Sequence, residues 1–189
     1  MTDPTDPTDP TDPTDPTGTL WTTLDSPLGT LLLRGEDDGT GRTLLTAVTA
    51  PGQKGAPAVP PPVRNHAPER FAAAAEQLTA YFAGELTAFS LPLAPTGTAF
   101  RQRIWQALDD IPYGTTVTYG QLAAAAGESP LAVRAVGGAV GANPLLVVRP
   151  CHRVIGANGS LTGFAAGVER KRMLLALESG AAGPLGALF

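Results

Sequence analysis

The sequence holds a single cysteine and two histidines in 189 residues, and aromatic side chains make up only 6% of it. One cysteine excludes an intramolecular disulfide framework and any cysteine-rich zinc site. No apolar run approaches the ~20 residues of a membrane-spanning helix. The start carries no basic segment followed by an apolar one, so the expected location is the cytoplasm. Basic residues are also in deficit: thirteen Lys and Arg face seventeen Asp and Glu, a net charge of −4. Taken whole, that balance speaks against a nucleic-acid partner. What is present is a hydrophobic fraction of 43%, enough for a packed core, in a length that suits one modest domain or two small ones.

Residues 2–16 are five copies of Thr-Asp-Pro. Each proline removes a backbone donor and disfavours helix at the residue before it. The unit has no large apolar side chain, so residues 1–18 read as a disordered acidic tail. Beyond it, residues 19–25, 29–34 and 43–49 are rich in Thr, Leu and Val and predict strands, with turns at Ser26-Pro27-Leu28-Gly29 and Glu36-Asp37-Asp38-Gly39. A proline-rich loop covers 50–62. Helical spacing runs from Pro68 to Phe82, with Phe71, Ala74, Leu78 and Phe82 on one face and Gly84 as the stop. Residues 86–96 read as an extended connector.

A second part, 98–189, follows the first, 19–97. In it Phe100, Ile104, Trp105, Leu108 and Ile111 recur at helical spacing. Short helices at 119–126 and 130–140, separated by Gly127-Glu128-Ser129, form a helix-turn-helix candidate. Alone, such a pair is commoner in plain packing than on DNA. The charge, however, divides unevenly. Residues 1–97 carry five basic and twelve acidic residues, a net −7, whereas 98–189 carry eight and five, a net +3. Arg101, Arg103, Arg134, Arg149, Arg153 and Arg170 are the candidates for phosphate contact in this basic part.

The cysteine lies in Val147-Val148-Arg149-Pro150-Cys151-His152-Arg153-Val154-Ile155, flanked by apolar β-branched residues. Two readings stand open. Cys151 is a small buried apolar residue, or it is a nucleophile whose thiolate forms with help from His152. Neighbours on a regular strand point to opposite faces, so a shared pocket requires the chain to leave the ladder, and Pro150 predicts that it does. A histidine base needs an orienting carboxylate. Glu178 is a candidate, at the end of a helical segment, Val168 to Glu178, with Met173, Leu174 and Leu177 on its apolar face. A plain surface glutamate is the simpler reading of it. Asn143, before Pro144, reads as a turn former, and Asn158-Gly159 as a tight turn.

Pro150-Cys151-His152-Arg153-Val154 resembles the active-site motif of the O6-alkylguanine-DNA alkyltransferases, the methylated-DNA–protein-cysteine methyltransferases. Arg134-Ala135-Val136-Gly137-Gly138-Ala139 with Asn143-Pro144 is similar to that family's preceding segment. Gly163-Phe164-Ala165-Ala166-Gly167, Lys171, Leu174-Leu175 and Glu178 are similar to its C-terminal one. Upstream, Ile111-Pro112-Tyr113-Gly114 and Tyr119-Gly120-Gln121-Leu122-Ala123 fit as well. The resemblance is close over 98–178 and loose in the N-terminal part, where Asp25-Ser26-Pro27-Leu28-Gly29 carries it.

The resemblance implies an α+β chain: an N-terminal ribonuclease-H-like domain with an antiparallel sheet, then a mainly helical, winged-helix-like DNA-binding domain with the helix-turn-helix. It implies DNA repair by direct reversal, in which the alkyl group of O6-alkylguanine, and of O4-alkylthymine, moves once and irreversibly to Cys151. Glu178 orients His152, which deprotonates Cys151 through a water, while Asn143 holds the turn. The second helix of the pair enters the minor groove of double-stranded DNA, where Ala135, Gly137 and Gly138 keep its bulk low. The damaged base must leave the stack. Arg134 fills the gap, and Tyr119 helps turn the nucleotide out and protonates guanine N3. Val154, Phe164 and Ala165 line the base pocket. Many relatives carry tyrosine where this chain has Phe164, and Ala166 occupies a variable pocket position. No metal or organic cofactor is implied, and no membrane partner. The protein acts as a monomer or cooperatively along DNA. The alternative is a lesion-binding damage sensor without transfer, against which Cys151 itself argues.

Overall fold

The structure, a computed structural model, describes residues 19–56 and 63–181. The Thr-Asp-Pro repeat and the end of the proline-rich loop lie outside the described residues. Strands β1 (Thr19–Leu24), β2 (Leu31–Asp37) and β3 (Thr43–Thr49) pair antiparallel in the order β1-β2-β3. Alternation sets the faces: Leu31, Leu33 and Gly35 point into the core, and Leu32, Arg34 and Glu36 point away. Strand β2 continues to Asp37, through residues expected to turn. A register shift at Arg34/Gly35 makes this possible. A Cβ on Gly35 would sit 2.7 Å from Thr43 Cγ2 and 2.8 Å from the Leu44 carbonyl, so the bulge needs glycine. The turn comes later, where the Asp37 and Asp38 carboxylates accept the N–H groups of Gly39 and Thr40 at 2.7 and 2.8 Å.

Helix α1 (Ala72–Phe82) begins four residues after Pro68, because Pro68–Phe71 forms a 3-10 turn that leads into it. Phe71, Ala74, Leu78, Tyr81 and Phe82 pack against Leu31, Leu33, Leu45 and Val48 of the sheet. The same core takes in Leu145, Leu146, Val147, Val148, Leu174 and Leu177 from the second half of the chain. Val48 N–H donates to the Pro144 carbonyl (2.9 Å), and Leu146 N–H to the Val48 carbonyl (3.0 Å). Residues 144–146 therefore meet β3 at a single bridge, Val48 to Leu145. Full burial of each leucine there contributes about 1.5–3 kcal/mol.

The second core is built from α2 (Ala99–Asp109), α3 (Tyr119–Ala125) and α4 (Val133–Gly141), around Ile104, Trp105, Leu108, Leu122, Val136, Ala139 and Val140. Helices α2 and α3 start where their caps dictate. Thr98 Oγ1 accepts from Arg101 N–H at 3.3 Å, and Thr118 and Gln121 form a reciprocal capping box. Trp105 Nε1–H donates to the Ala139 carbonyl at 2.8 Å, which ties α2 to α4. Strand β4 (Val117–Thr118) pairs in parallel with β5 (Val154–Ile155), and α5 (Val168–Glu178) closes the described chain over the range expected from its spacing. The α+β class stands. Among the described residues no helix is long and apolar enough to cross a membrane.

Candidate active site

The segment that carries Cys151 is held from behind. Asn143 is buried; its Nδ2 donates to the Leu145 and Arg149 carbonyls (3.2 and 3.1 Å), and its Oδ1 accepts from Leu145 N–H (3.1 Å). Within that loop Val147 sits at φ +69°, a conformation that costs a β-branched residue about 1–3 kcal/mol. Burial and the Asn143 bonds keep it there. After Pro150 the chain leaves extended structure, and Cys151–Arg153 forms a 3-10 turn. Successive side chains in such a turn lie about 120° apart rather than on opposite faces. Cys151 and His152 are thereby buried together.

His152 is fully buried, with Nε2 at 2.8 Å from Glu178 Oε1. Its Nδ1 is buried and has no hydrogen-bond partner among the described residues. Glu178 is the hub. Arg153 donates Nη2–H to Oε1 and Nε–H to Oε2, each at 2.8 Å. Tyr81 Oη–H donates to Oε1 at 2.7 Å, and Gly114 N–H to Oε2 at 3.1 Å. Burial alone would raise the Glu178 pKa, but the hydrogen bonds from His152 and Arg153 outweigh it and hold the carboxyl well below the usual range. Glu178 is thus an anion that accepts Nε2–H of a neutral imidazole, leaving the Nδ1 lone pair as base. Burial pushes the His152 pKa down and wins over the pull of Glu178. Burial pushes the Cys151 thiol up, opposed by its hydrogen bond to Asn143 and by the charge of Lys171.

These directions set a pH dependence. Folded His152 takes its proton below its ordinary pKa of 6.5, and folded Glu178 below its ordinary 4.5. In both cases the unfolded chain binds the proton first, so stability is complete above the ordinary value and falls as pH drops below it. The melting temperature is expected to be level at neutral pH, to fall below pH 6.5, and to fall again below 4.5. Thermal unfolding across that range checks this, and a flat profile would contradict it.

Lys171 is fully buried and donates to the Val154 carbonyl (2.5 Å) and the Thr162 carbonyl (3.1 Å). The half-buried Tyr119 donates Oη–H to the same Thr162 carbonyl at 3.0 Å. Burial and then the neighbouring Cys151 keep its hydroxyl protonated. Thr162 belongs to the strap between β5 and α5, which begins in the expected Asn158-Gly159 turn, where Ser160 N–H donates to Asn158 Oδ1 at 3.1 Å. Phe164 of this strap packs against both cores, Ala165 is half-buried, and Ala166 and Val154 are buried. On α4, Arg134, Ala135 and Gly138 are exposed and Gly137 is half-buried, while Val136 and Ala139 face the core. Leu131 and Val133, just ahead of Arg134, are exposed as well.

Three arginines expected at phosphates serve inside the protein. Arg149 is buried and forms a two-pronged pair with Asp109, both bonds at 2.8 Å. Arg153 is held by Glu178, and Arg170 donates to the Leu28 and Ala166 carbonyls, each at 2.8 Å. Arg103 pairs with Glu128 at 2.7 Å. Arg101 and Arg134 remain exposed, with no such ion pair among the described residues. Tyr81 was not foreseen as a site residue, and Arg153 and Lys171 were expected at phosphate and in the family's C-terminal segment rather than at these carboxylate and carbonyl partners. One signal was available: Tyr81 interrupts an apolar helix face, and a buried hydroxyl needs a partner.

Two family models match the chain. The 6-O-methylguanine DNA methyltransferase ribonuclease-like domain covers residues 19–95, and the DNA binding domain of the same family covers 99–180. Methylated-DNA–protein-cysteine methyltransferase of Mycolicibacterium paratuberculosis is 49% identical over 158 residues, 84% of this chain and 91% of that one. The protein of that name from Methanosarcina acetivorans is 46% identical over 158 residues, 84% and 97% of the two chains. The solved structure of Mycobacterium tuberculosis OGT in complex with DNA superimposes with a TM-score of 0.77 at 45% identity, covering 87% of this chain and 95% of that one.

Proposed function

Because the chain belongs to the 6-O-methylguanine DNA methyltransferase family, we propose that Cys151 is the acceptor through which it repairs alkylated DNA. The protein is an enzyme of DNA repair that moves an alkyl group from DNA to a cysteine, and the sequence contains one cysteine. The observation that carries the assignment is a buried thiol followed in the same 3-10 turn by a buried imidazole whose Nε2 lies 2.8 Å from an ionised carboxylate.

The steps follow from these groups. The Cys151 proton passes through a water to His152 Nδ1, and the imidazolium is stabilised by Glu178. The thiolate attacks the alkyl carbon on guanine O6; a C–S bond forms, the C–O bond breaks, and its electron pair goes to the guanine. Tyr119 Oη gives N3 a proton after exchanging its bond to the Thr162 carbonyl. Tyr119 recovers a proton that derives from the thiol, so the sum is a thioether and a neutral guanine. A thioether is a poor leaving group, so each molecule acts once. Val154, Phe164 and Ala165 frame the base, and O4-alkylthymine presents the same alkyl–oxygen bond. Incubation with O6-methylguanine DNA is expected to add one methyl group to the peptide containing Cys151, read by mass. Binding without an adduct would point to a damage sensor instead.

The low-bulk face of α4 suits the narrow minor groove, with the protein bound as a monomer or cooperatively. Arg134 stands exposed on this face, where it fills the gap left by the flipped nucleotide. Arg134→Ala is expected to slow repair of duplex by about 10-fold or more, a loss of 1.4 kcal/mol or above, and to spare repair of single strands. Equal losses on the two substrates contradict the role.

A further inference from the structure

The outward face of the three-stranded sheet takes no part in the chemistry above, yet it does not look into open solvent. It faces α4 across an open cleft of about 860 Å³. Thr19, Arg34, Glu36 and Thr46 form the wall on the sheet side. Gly137, Gly138 and Gly141 of α4 form the opposite wall, with Arg101 from the first turn of α2. The cleft reaches the base-pocket strap at Phe164 and Ala165, where Lys54 N–H donates to the Ala165 carbonyl at 3.1 Å.

Three features describe what fits there. The lining carries three cations, Arg34, Lys54 and Arg101, against one acid, Glu36, in a chain whose total charge is −4. Arg34 Nε is buried and has no hydrogen-bond partner among the described residues, and Thr hydroxyls flank the cations. Guanidinium, ammonium and hydroxyl donors together match phosphate oxygens. The α4 wall has almost no side chain: a Cβ on Gly138 or Gly141 would meet nothing within 4 Å. Gly138 and Gly141 follow Arg134 at spacings of four and seven residues along α4, which places them on one helix face.

We infer that this cleft carries the sugar–phosphate backbone of a DNA strand past the lesion pocket, with Arg34 and Lys54 of the N-terminal part binding phosphates opposite Arg101. The inference rests on the DNA-repair reading and extends the DNA contact from the helix-turn-helix to the sheet.

The test is equilibrium binding of an undamaged duplex by the full chain between about 50 and 200 mM salt, where log K falls with log salt by about 0.9 per phosphate neutralised. Arg34→Gln with Lys54→Ala is expected to make the slope shallower by about two contacts, and the exposed Lys54→Ala alone by about one. Arg172→Ala, an exposed change on α5, leaves it unaltered. Slopes equal to the parent's overturn the inference. If the double variant melts early, Lys54→Ala decides. If the slope responds only to deletion of residues 2–17, the acidic repeat occupies the cleft and the inference is again overturned. Failure of the parent to take a methyl group at Cys151 would instead sink the repair reading, by a separate measurement.

Discussion

Cys151→Ala is expected to end alkyl transfer completely while the variant still binds damaged duplex close to the parent level. The thiol is enclosed, and no other sulfur nucleophile of its kind exists in the chain. Lys171 Nζ does not replace it, being tied to two carbonyls. The side chains proposed to meet DNA, Arg134 and Ala135, lie on α4 and are exposed, so losing one buried sulfur leaves them in place. Intact mass after incubation with O6-methylguanine DNA, beside a binding titration, reads both halves. A methylated Cys151→Ala protein would remove the cysteine from the mechanism.

The second large effect is expected at Glu178. Glu178→Gln keeps the shape but removes the charge that Arg153 and His152 face. Arg153 is left buried opposite a neutral amide, and breaking a buried pair in this way costs about 3–5 kcal/mol. The His152 Nε2–H loses its anionic acceptor, so the tautomer that frees Nδ1 is no longer favoured, and a general base is worth about 10²–10⁴ in rate. Tyr81→Phe removes only one of the donors to Glu178, a charged hydrogen bond worth about 1.5–3 kcal/mol. Denaturant midpoints should therefore rank parent, Tyr81→Phe, Glu178→Gln, and single-turnover rates on refolded protein should drop most for Glu178→Gln. A Glu178→Gln protein as stable and as fast as the parent would dissolve the hub.

What could be read in advance depended on how far apart the partners lie along the chain. The α5 span was legible because Met173, Leu174 and Leu177 mark a helical face within eleven residues. The break at Pro150 was legible for the same local reason. The extension of β2 to Asp37 was not, since a bulge at Gly35 depends on how Thr43 and Leu44 approach from the next strand. Glu178 read as a surface residue because nothing near it buries it. Its partners Tyr81 and Gly114 stand 97 and 64 positions away. Arg149 and Arg153 read as phosphate ligands for the converse reason: a cation does not announce that Asp109 or Glu178 waits across the fold. The assignment of Cys151, His152, Asn143 and Tyr119 came through the family resemblance. The structure adds that Asn143 is a loop clamp and that Tyr119 and Lys171 meet at one carbonyl.

The enclosure of Cys151 has a bearing on the protein's idle time. Thiols that oxidise readily are exposed and easily ionised; this one is buried, and burial holds it protonated. A reagent consumed by one lesion must persist unspent through every hour in which no lesion appears. Hiding the sulfur keeps peroxides and small disulfides from discharging it, and the cost is only that each encounter must bring the base inside.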